Sequence, residues 1–286
     1  MAQQPEREAD QTMSESGEQR RSRASGPAPE GEEPLSEVEM THRALHERLD
    51  HVEGLLATGL KRGVGATVVP AWRRLTVGEP RWPVSLAVMA ALAMQASLPR
   101  HLILGPRWLL PSLGGALLVA LIAANPGRID RASSILRAGG LTLIATISLA
   151  NGWSAGRLVY GLVTTTEKSD APHLLLNGSA IWLTNVIAFG LWYWEFDRGG
   201  PVARMLGSKP YPDFLFPQME SPELAPPEWE PRFVDYLYLS FTNATAFSPT
   251  DVMPLSRWAK LTMLAQSAIS LITVALVVAR AVNILK

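Results

Sequence analysis

The chain has 286 residues, contains no cysteine and carries a formal net charge of zero. Without cysteine there is no disulfide framework, cysteine-ligated zinc site or thiol nucleophile, and the neutral charge gives no indication of a nucleic-acid partner. The hydrophobic fraction of 47% is ordinary for a globular protein. Apolar and charged residues are nevertheless separated along the chain, because several long segments after the first 34 residues are almost free of charge.

The first 34 residues predict a disordered tail. They are rich in Glu, Arg, Ser, Gly and Pro and contain no aromatic residue. Such a segment cannot bury enough apolar surface to offset the entropy lost on ordering. It also has no apolar core of the kind that a signal peptide carries, so we do not interpret it as one.

A single apolar stripe predicts an amphipathic helix over residues 37–58. Ser36 and Glu39 have the spacing of a capping box at its start. Apolar residues then recur at helical steps, at Val38, Leu45, Leu49, Val52 and Leu56. This helix could pair with a second copy, lie on a membrane or pack on the rest of the chain. His42 and His46 are one turn apart on it, and we favour a solvated helix face over a metal-binding pair.

Five later segments predict transmembrane helices. With their flanks they approach the length of about 20 residues that crosses the hydrocarbon, and they are apolar on all sides, unlike the surface helices of a soluble bundle. Tryptophans lie at several of their ends, as in interfacial aromatic belts. The predicted spans cover residues 83–104, 108–125, 139–163, 173–197 and 257–285. The sequence therefore predicts an all-α integral membrane bundle of about five transmembrane helices.

The distribution of Lys and Arg predicts the orientation of this bundle. If all five segments cross, fourteen Lys and Arg residues counted from residue 61 lie on the N-terminal side and six lie on the other. The positive side of a membrane protein is normally cytoplasmic. We therefore expect the N-terminus in the cytoplasm, with the basic residues of 61–81 facing anionic lipids. The proline-rich segment 199–231 is too long for an unstructured connector, so we predict an ordered flap on the same face.

Four charged residues lie in or beside predicted membrane segments: Arg157, Glu195, Asp197 and Asp235. Charges in membranes are costly and usually paired, but the sequence does not reveal the partners. Glu195 and Asp197 follow the aromatic run Trp192–Trp194. For this pair we favour solvated charges beside an interfacial aromatic girdle over an acidic, cation-binding ring at a pore mouth.

A polar turn before the last predicted span resembles a membrane re-entrant loop. From Phe233 to Leu261 an aromatic, mostly apolar run leads into a Thr/Ser/Pro turn, an aspartate and the basic start of an apolar segment. This order resembles the pore helix, filter and inner helix of tetrameric potassium channels. The resemblance implies a re-entrant or surface helix near residues 232–247, a homo-oligomer, and monovalent cations as partners. The residues of the pore-like turn are Thr242, Thr245, Phe247, Ser248, Thr250 and Asp251.

The residues that build a potassium filter are replaced in this turn. Ser248 and Thr250 stand where the channels have glycines, which permit the backbone angles that turn carbonyls toward the pore axis. Pro249 fixes φ at about −65° and has no N–H. We therefore expect no potassium-selective carbonyl ladder, so side-chain oxygens would have to replace ion hydration. The alternative is an ordinary helix end followed by a new helix, with Asp251 as its cap.

The orientation implied by this resemblance disagrees with the charge distribution. Pore loops of potassium channels enter the membrane from outside, whereas the Lys and Arg count places residues 198–256 in the cytoplasm. We give more weight to the charge distribution, because it uses the whole chain.

A second resemblance fits the C-terminal segment more closely. The runs Phe233–Thr242 and Thr245–Phe247, Asp251, and the closing Ala281–Leu285 resemble an uncharacterised family of bacterial multi-pass inner-membrane proteins. This resemblance implies a location in the bacterial inner membrane and gives no reaction.

The sequence therefore leaves two functional classes open. It has no nucleophile elbow, phosphate-binding loop, zinc-protease helix or dinucleotide fingerprint, so we predict no enzyme, no cofactor and no metal site. The favoured class is a channel-like or transport-related membrane protein acting through residues 232–285. The alternative is a structural or regulatory membrane protein without a permeation path, which recruits a partner through its N-terminal helix. In both classes the lipid bilayer is the main partner.

Overall fold

The computed structural model describes residues 71–129, 133–164, 170–245 and 251–285, together with Leu49. Within these residues the fold is an all-α bundle, as the sequence predicts. Its helices are α1 Trp82–Ser97, α2 Leu109–Ala124, α3 Ser134–Val163, α4 Ala171–Phe196, α5 Pro201–Met205, α6 Pro217–Glu220, α7 Phe233–Thr245 and α8 Arg257–Leu285. The N-terminal tail, the capping box and the histidine pair lie outside the described residues, as does the amphipathic helix apart from Leu49.

Among the described residues, three helices are long and apolar enough to cross a membrane: α3, α4 and α8. The helices α1 and α2 have 16 residues each, which at 1.5 Å per residue gives about 24 Å, less than the usual hydrocarbon thickness of about 30 Å. The apolar region continues past the end of α1, because Leu98 and Leu102 are buried in the same cluster as Leu158 of α3. This continuation adds to the apolar length of α1.

The ends of the helices have local causes. The helix α1 stops before the predicted position 104 because Leu98 precedes Pro99 and is extended, as residues before proline usually are. The helix α3 begins five residues earlier than predicted, at Ser134, because the Ser133 side chain accepts a hydrogen bond from Leu136 N. Asp170 caps α4 in the same way, accepting from His173 N.

The long apolar helices α1, α2, α3, α4 and α8 alternate in direction. Most of the arginines in the described residues therefore lie at one end of the bundle. Two short antiparallel pairings lie at this end. Strand β1 (Glu79–Pro80) pairs with β2 (Arg128–Ile129), and β3 (Phe214–Leu215) pairs with β4 (Met253–Pro254). We name this end the basic end, after Arg81, Arg128, Arg137, Arg198, Arg204, Arg232 and Arg257.

The segment between α4 and α7 folds over the basic end. It includes α5, α6 and β3, and its Phe214, Phe216 and Met219 are buried in the main hydrophobic core. Several prolines start its short helices, at Pro201, Pro217 and Pro222. The segment thus forms a cap over the basic end of the bundle, and its position over a membrane face stays a prediction.

Helix α7 is a re-entrant helix within this bundle. It starts at the basic end, where the ring of Phe233 lies against Trp194. Its last residues lie halfway down the bundle, where Phe241 contacts Trp182 with 5.7 Å between ring centroids. The chain then returns to β4 at the basic end. Helix α7 thus enters the bundle at the end where α4 finishes and α8 begins, since Phe196 contacts Trp258 there.

A close helix approach fixes α7 against α4. A Cβ atom added to Gly190 of α4 would lie only 3.2 Å from the Cα atom of Leu237. The backbone of α7 therefore sits where a side chain of α4 would normally be.

We predict that Gly190→Leu destabilises the protein by about 1–3 kcal/mol, the usual cost of overpacking a filled interior. The matched control is Gly156→Leu on α3, where an added Cβ would meet nothing within 4 Å. Thermal unfolding in detergent measures both variants. Equal midpoints for the two would contradict the close packing of α7 on α4.

Candidate functional site

The described part of the pore-like turn forms no cluster of free oxygens. The Thr242 hydroxyl donates to the carbonyls of Tyr238 and Leu239, each at 3.0 Å, and the Thr245 hydroxyl donates to the Phe241 carbonyl at 2.9 Å. Both hydroxyls therefore bond to the backbone of their own helix. Phe247, Ser248 and Thr250 lie outside the described residues.

Asp251 does not cap the last helix, so that expectation is wrong. Helix α8 begins at Arg257, and the Ser256 hydroxyl accepts from Ala259 N at 3.4 Å. Asp251 is exposed and lies before β4. The cap position is taken by Ser256 because the chain first pairs with β3, and only afterwards turns into the helix.

The polar residues on the inner face of α7 are used to hold it in place. Gln266 of α8 is fully buried, and its Oε1 accepts from Tyr193 Oη at 2.6 Å and from Asn243 Nδ2 at 2.8 Å. Its Nε2 donates to the Ser240 carbonyl at 2.9 Å and to the Ser240 hydroxyl at 2.6 Å. All the amide donors and acceptors of Gln266 are therefore satisfied, which is the condition for a stable buried polar network.

Arg157 and Asp235 lie at different ends of the bundle and do not pair. Arg157 Nε donates to the His101 carbonyl at 3.3 Å, at the end opposite to the basic end. Asp235 Oδ2 accepts from Arg232 N at 2.8 Å at the start of α7. Burial raises the pKa of Asp235 above its ordinary value. Because its carboxylate accepts this hydrogen bond from Arg232 N, Asp235 acts as an acceptor at the N-terminus of α7.

Glu195 and Asp197 are buried, so the expectation of solvated charges is wrong. Glu195 is 6% exposed and Asp197 is fully inaccessible. The sequence did not reveal the reason, which is that the cap folds back over the end of α4. It brings Arg204 beneath these carboxylates, and Arg204 itself is 6% exposed. We name Glu79, Glu195, Asp197, Arg198 and Arg204 the buried charge cluster.

Arg204 is held by several groups at once. Its Nη1 donates to the Trp194 carbonyl at 2.5 Å and to the Asp197 carbonyl at 3.1 Å. Its Nη2 lies 3.9 Å from Glu79 Oε2, and its guanidinium carbon lies 5.0 Å from the ring centre of Tyr236. One side chain thus joins the end of α4, the strand before α1, and α7.

Asp197 connects the cap to the helices. Its Oδ1 accepts from the backbone N–H of Asp213 at 2.8 Å, and its Oδ2 accepts from Tyr236 Oη at 2.6 Å. Asp213 in turn accepts from Arg198 N and from Trp258 Nε1. The two aspartates therefore fix β3 against α4, α7 and α8.

Glu79 completes the buried charge cluster from the other side. Its Oε2 accepts from Trp194 Nε1 at 2.7 Å and its Oε1 from Phe233 N at 2.5 Å. Burial raises the pKa of Glu79 above its ordinary value, and the nearby Arg204 and the two hydrogen bonds offset this only in part. No sequence pattern pointed to Glu79, which lies in a short strand outside every apolar segment.

A cavity of about 400 Å³ lies beside this cluster, enclosed by α1, α2, α3, α4 and the start of the cap. We name it the interfacial cavity. Its interior is apolar, with Val84, Val88, Leu118, Leu121, Leu143, Ile144 and Leu191 among the lining residues. Its polar lining residues all belong to the basic end, and include Arg81, Asn125, Ser133, Ser134, Arg137, Glu195 and Ser208.

Two arginines mark the rim of the interfacial cavity. Arg137 Nε lies 3.4 Å from Glu195 Oε1, with the arginine side chain half exposed and the glutamate side chain 8% exposed. Arg81 Nη1 donates to the Asn125 carbonyl at 3.0 Å. Sequence reasoning assigned both arginines to the basic side only, because the helices that place them around one space are far apart in the chain.

Within the described residues, no group of three or more His, Cys, Asp or Glu side chains is placed to hold a metal ion. Comparisons of the chain with protein-family models, curated proteins and solved structures found no match.

We predict that Arg204→Gln destabilises the protein by about 3–5 kcal/mol, because breaking a buried ion pair leaves a carboxylate without its compensating charge. Adding Glu79→Gln to Arg204→Gln is expected to recover part of this loss. Thermal unfolding of the two single variants and the double variant measures the coupling. Additive effects would show that Arg204 and Glu79 do not interact.

We also predict a pH dependence due to Glu79. Its pKa is raised in the folded state, so the folded protein binds more protons than the unfolded chain above the ordinary glutamate pKa. Stability from Glu79 is therefore fully present below that value and is lost as pH rises through the folded pKa. The unfolding midpoint of the wild type should fall relative to Glu79→Gln over this interval. A constant difference between the two proteins would contradict the prediction.

Proposed function

We propose that this chain is a multi-pass membrane protein that binds a membrane amphiphile in the interfacial cavity. The observation that carries the proposal is the division of this cavity into an apolar interior and a charged rim. Its volume of about 400 Å³ falls in the range of about 300–1,000 Å³ that is usual for small-molecule sites.

The membrane location is supported by the helices and by the charge distribution. Three helices in the described part of the chain are long and apolar enough to span, and large apolar side chains are exposed along their outer faces, such as Leu149, Leu176 and Leu264. Arginines collect at one end. We propose that the protein lies in a bacterial inner membrane with its basic end toward the cytoplasm, as the positive-inside rule predicts.

The orientation of the cavity matches the structure of a bilayer leaflet. Along α3, the lining residues run from Arg137 at the rim to Ile144 in the interior, a depth of about 10 Å at 1.5 Å per residue. An amphiphile in the cytoplasmic leaflet would place its polar group at Arg137 and its apolar part beside Ile144. This role is a form of the regulatory alternative, since it needs no permeation path.

A channel-like function is a second candidate, favoured by one observation. Helix α7 enters the bundle from the basic end and returns to it, which is the path of a pore loop. Its inner polar residues, Ser240 and Asn243, bond to Gln266 within the same chain. A conducting path would therefore have to run along the exposed face of α7, between copies of the chain.

Cation flux in liposomes tests the channel candidate. If Asp251 lines a path, Asp251→Asn should reduce flux as much as Asp251→Ala, because both remove the negative potential. Neither change should shift the unfolding midpoint, since Asp251 is exposed and caps no described helix. Absence of wild-type flux beside a conducting control channel would remove this candidate.

We predict that Gly140→Leu lowers amphiphile binding at least about tenfold, because overlap with one methylene-sized group in an apolar pocket already costs about 1–3 kcal/mol. Gly140 lines the interfacial cavity, and a Cβ added there meets nothing within 4 Å, so the new side chain fills the cavity without displacing its walls. Native mass spectrometry of the detergent-solubilised protein measures the bound lipid.

The matched control is Gly152→Leu on the same helix. Gly152 is exposed, has equal space for a Cβ and does not line the cavity. The Gly152→Leu variant should bind lipid as tightly as the wild type does. Equal binding by both variants would contradict the proposed site.

A further inference from the structure

Building on the proposed amphiphile site, we infer that the interfacial cavity selects lipids with an anionic headgroup through Arg81 and Arg137. The inference names the chemistry of the ligand and assigns the two arginines as its recognition residues. It rests on the pairing of the rim charges, on the donors that these arginines leave free, and on the apolar interior beneath them.

Within the described part of the chain, Arg81 has no acidic partner. It is partly buried, and its side chain makes one hydrogen bond to the described residues, to the Asn125 carbonyl. Among those residues, no carboxylate lies within ion-pair distance of it. A guanidinium has five N–H donors, so most of the donors of Arg81 are available at the rim of the cavity. Burial lowers the pKa of Arg81 from its ordinary value, and an anion beside it would offset that cost.

Arg137 is only partly used by Glu195. The contact joins Nε of the arginine to one carboxylate oxygen at 3.4 Å, and the arginine side chain is half exposed. Among the residues that the structure describes, no carboxylate is paired with either Nη group of Arg137. These can contact a headgroup phosphate while Nε stays on Glu195, since a planar guanidinium offers separate edges to different acceptors.

The charge of the rim favours a negative ligand. The titratable residues lining the cavity are Arg81, Arg137 and Glu195, which together carry one positive charge when Glu195 is ionised and two when it is protonated. Two guanidinium groups, one directly before α1 and one on α3, suit a phosphate that carries no compensating ammonium. A zwitterionic lipid would place its ammonium beside Arg81, and this repulsion provides selectivity against it.

The apolar interior indicates a lipid and not a soluble anion. A free phosphate at the rim would leave the half-buried apolar side chains of Val84, Ile129 and Leu136 in the cavity wall uncovered. An acyl chain covers them and adds the free energy of burying apolar surface. The site therefore requires both parts of the ligand, a phosphate at the rim and a hydrocarbon chain beneath it.

The experiment compares phosphatidylglycerol with phosphatidylcholine of identical acyl chains, titrated into the full-length detergent-solubilised protein and followed by native mass spectrometry. The wild type should bind phosphatidylglycerol at least about tenfold more tightly, as expected for a desolvated charge pair worth about 1.4 kcal/mol or more. Arg81→Gln, and the charge-neutral pair Arg137→Gln with Glu195→Gln, should each reduce this preference several-fold, through weaker binding of phosphatidylglycerol.

The control variant is Arg128→Gln at the same end of the bundle. Arg128 is exposed, bonds to the carbonyls of Val77 and Gly78, and does not line the cavity. It should keep the full preference for the anionic lipid. An equal loss in Arg128→Gln would show general attraction to a positive surface and overturn the assignment. If Arg81→Gln does not fold, Arg81→Lys keeps the charge without the planar fork and should weaken the preference more than Arg128→Lys does.

The outcomes separate this inference from the proposed function. Equal binding of the two lipids, reduced in both by Gly140→Leu, would overturn headgroup selection and leave the amphiphile site intact. Binding of neither lipid would overturn both. Displacement of phosphatidylglycerol by inorganic phosphate at similar concentration would show recognition of the anion alone and overturn the requirement for a hydrocarbon chain.

Discussion

The buried guanidinium of Arg204 is the interaction on which the basic end of the bundle depends. A charge in the protein interior is tolerated only when hydrogen bonds and opposite charges replace its water. Arg204 obtains them from the carbonyls of Trp194 and Asp197 and from the nearby Glu79 carboxylate. These groups belong to the end of α4 and to the strand before α1, so satisfying one charge fixes the relative position of two parts of the chain.

The same arrangement creates the interfacial cavity. After α4 the chain reverses through Arg198, Gly199 and Gly200, all with positive φ, a conformation that glycine adopts without strain. A Cβ at Gly200 would lie 2.9 Å from the Glu195 carbonyl oxygen, so the turn needs glycine there. The reversal places α5 over the space between α1, α2, α3 and α4. The cap thereby turns a gap between helices into a partly enclosed site with charges only at its rim.

The polar residues of the channel-like helix α7 form hydrogen bonds within one chain and hold the helix against α8. Its polar side chains at Ser240 and Asn243 face Gln266, and its threonine hydroxyls bond to their own backbone. A re-entrant helix must satisfy its polar groups within the protein where no water is available. The network with α8 does this without any ion. The likeness to a pore loop therefore extends to the path of the chain, whereas the described hydroxyls are already used.

The sequence by itself determined the all-α bundle, the re-entrant helix and the collection of arginines at one end. These features follow from local composition and periodicity, which act through burial and through the nearest residues along the chain. Only the tertiary structure decided that Glu195 and Asp197 are buried, that Glu79 meets Arg204, and that Arg81 and Arg137 face one cavity. Such contacts join residues far apart in sequence. The free energy of a buried charge depends on every group packed around it, and no local pattern contains that information.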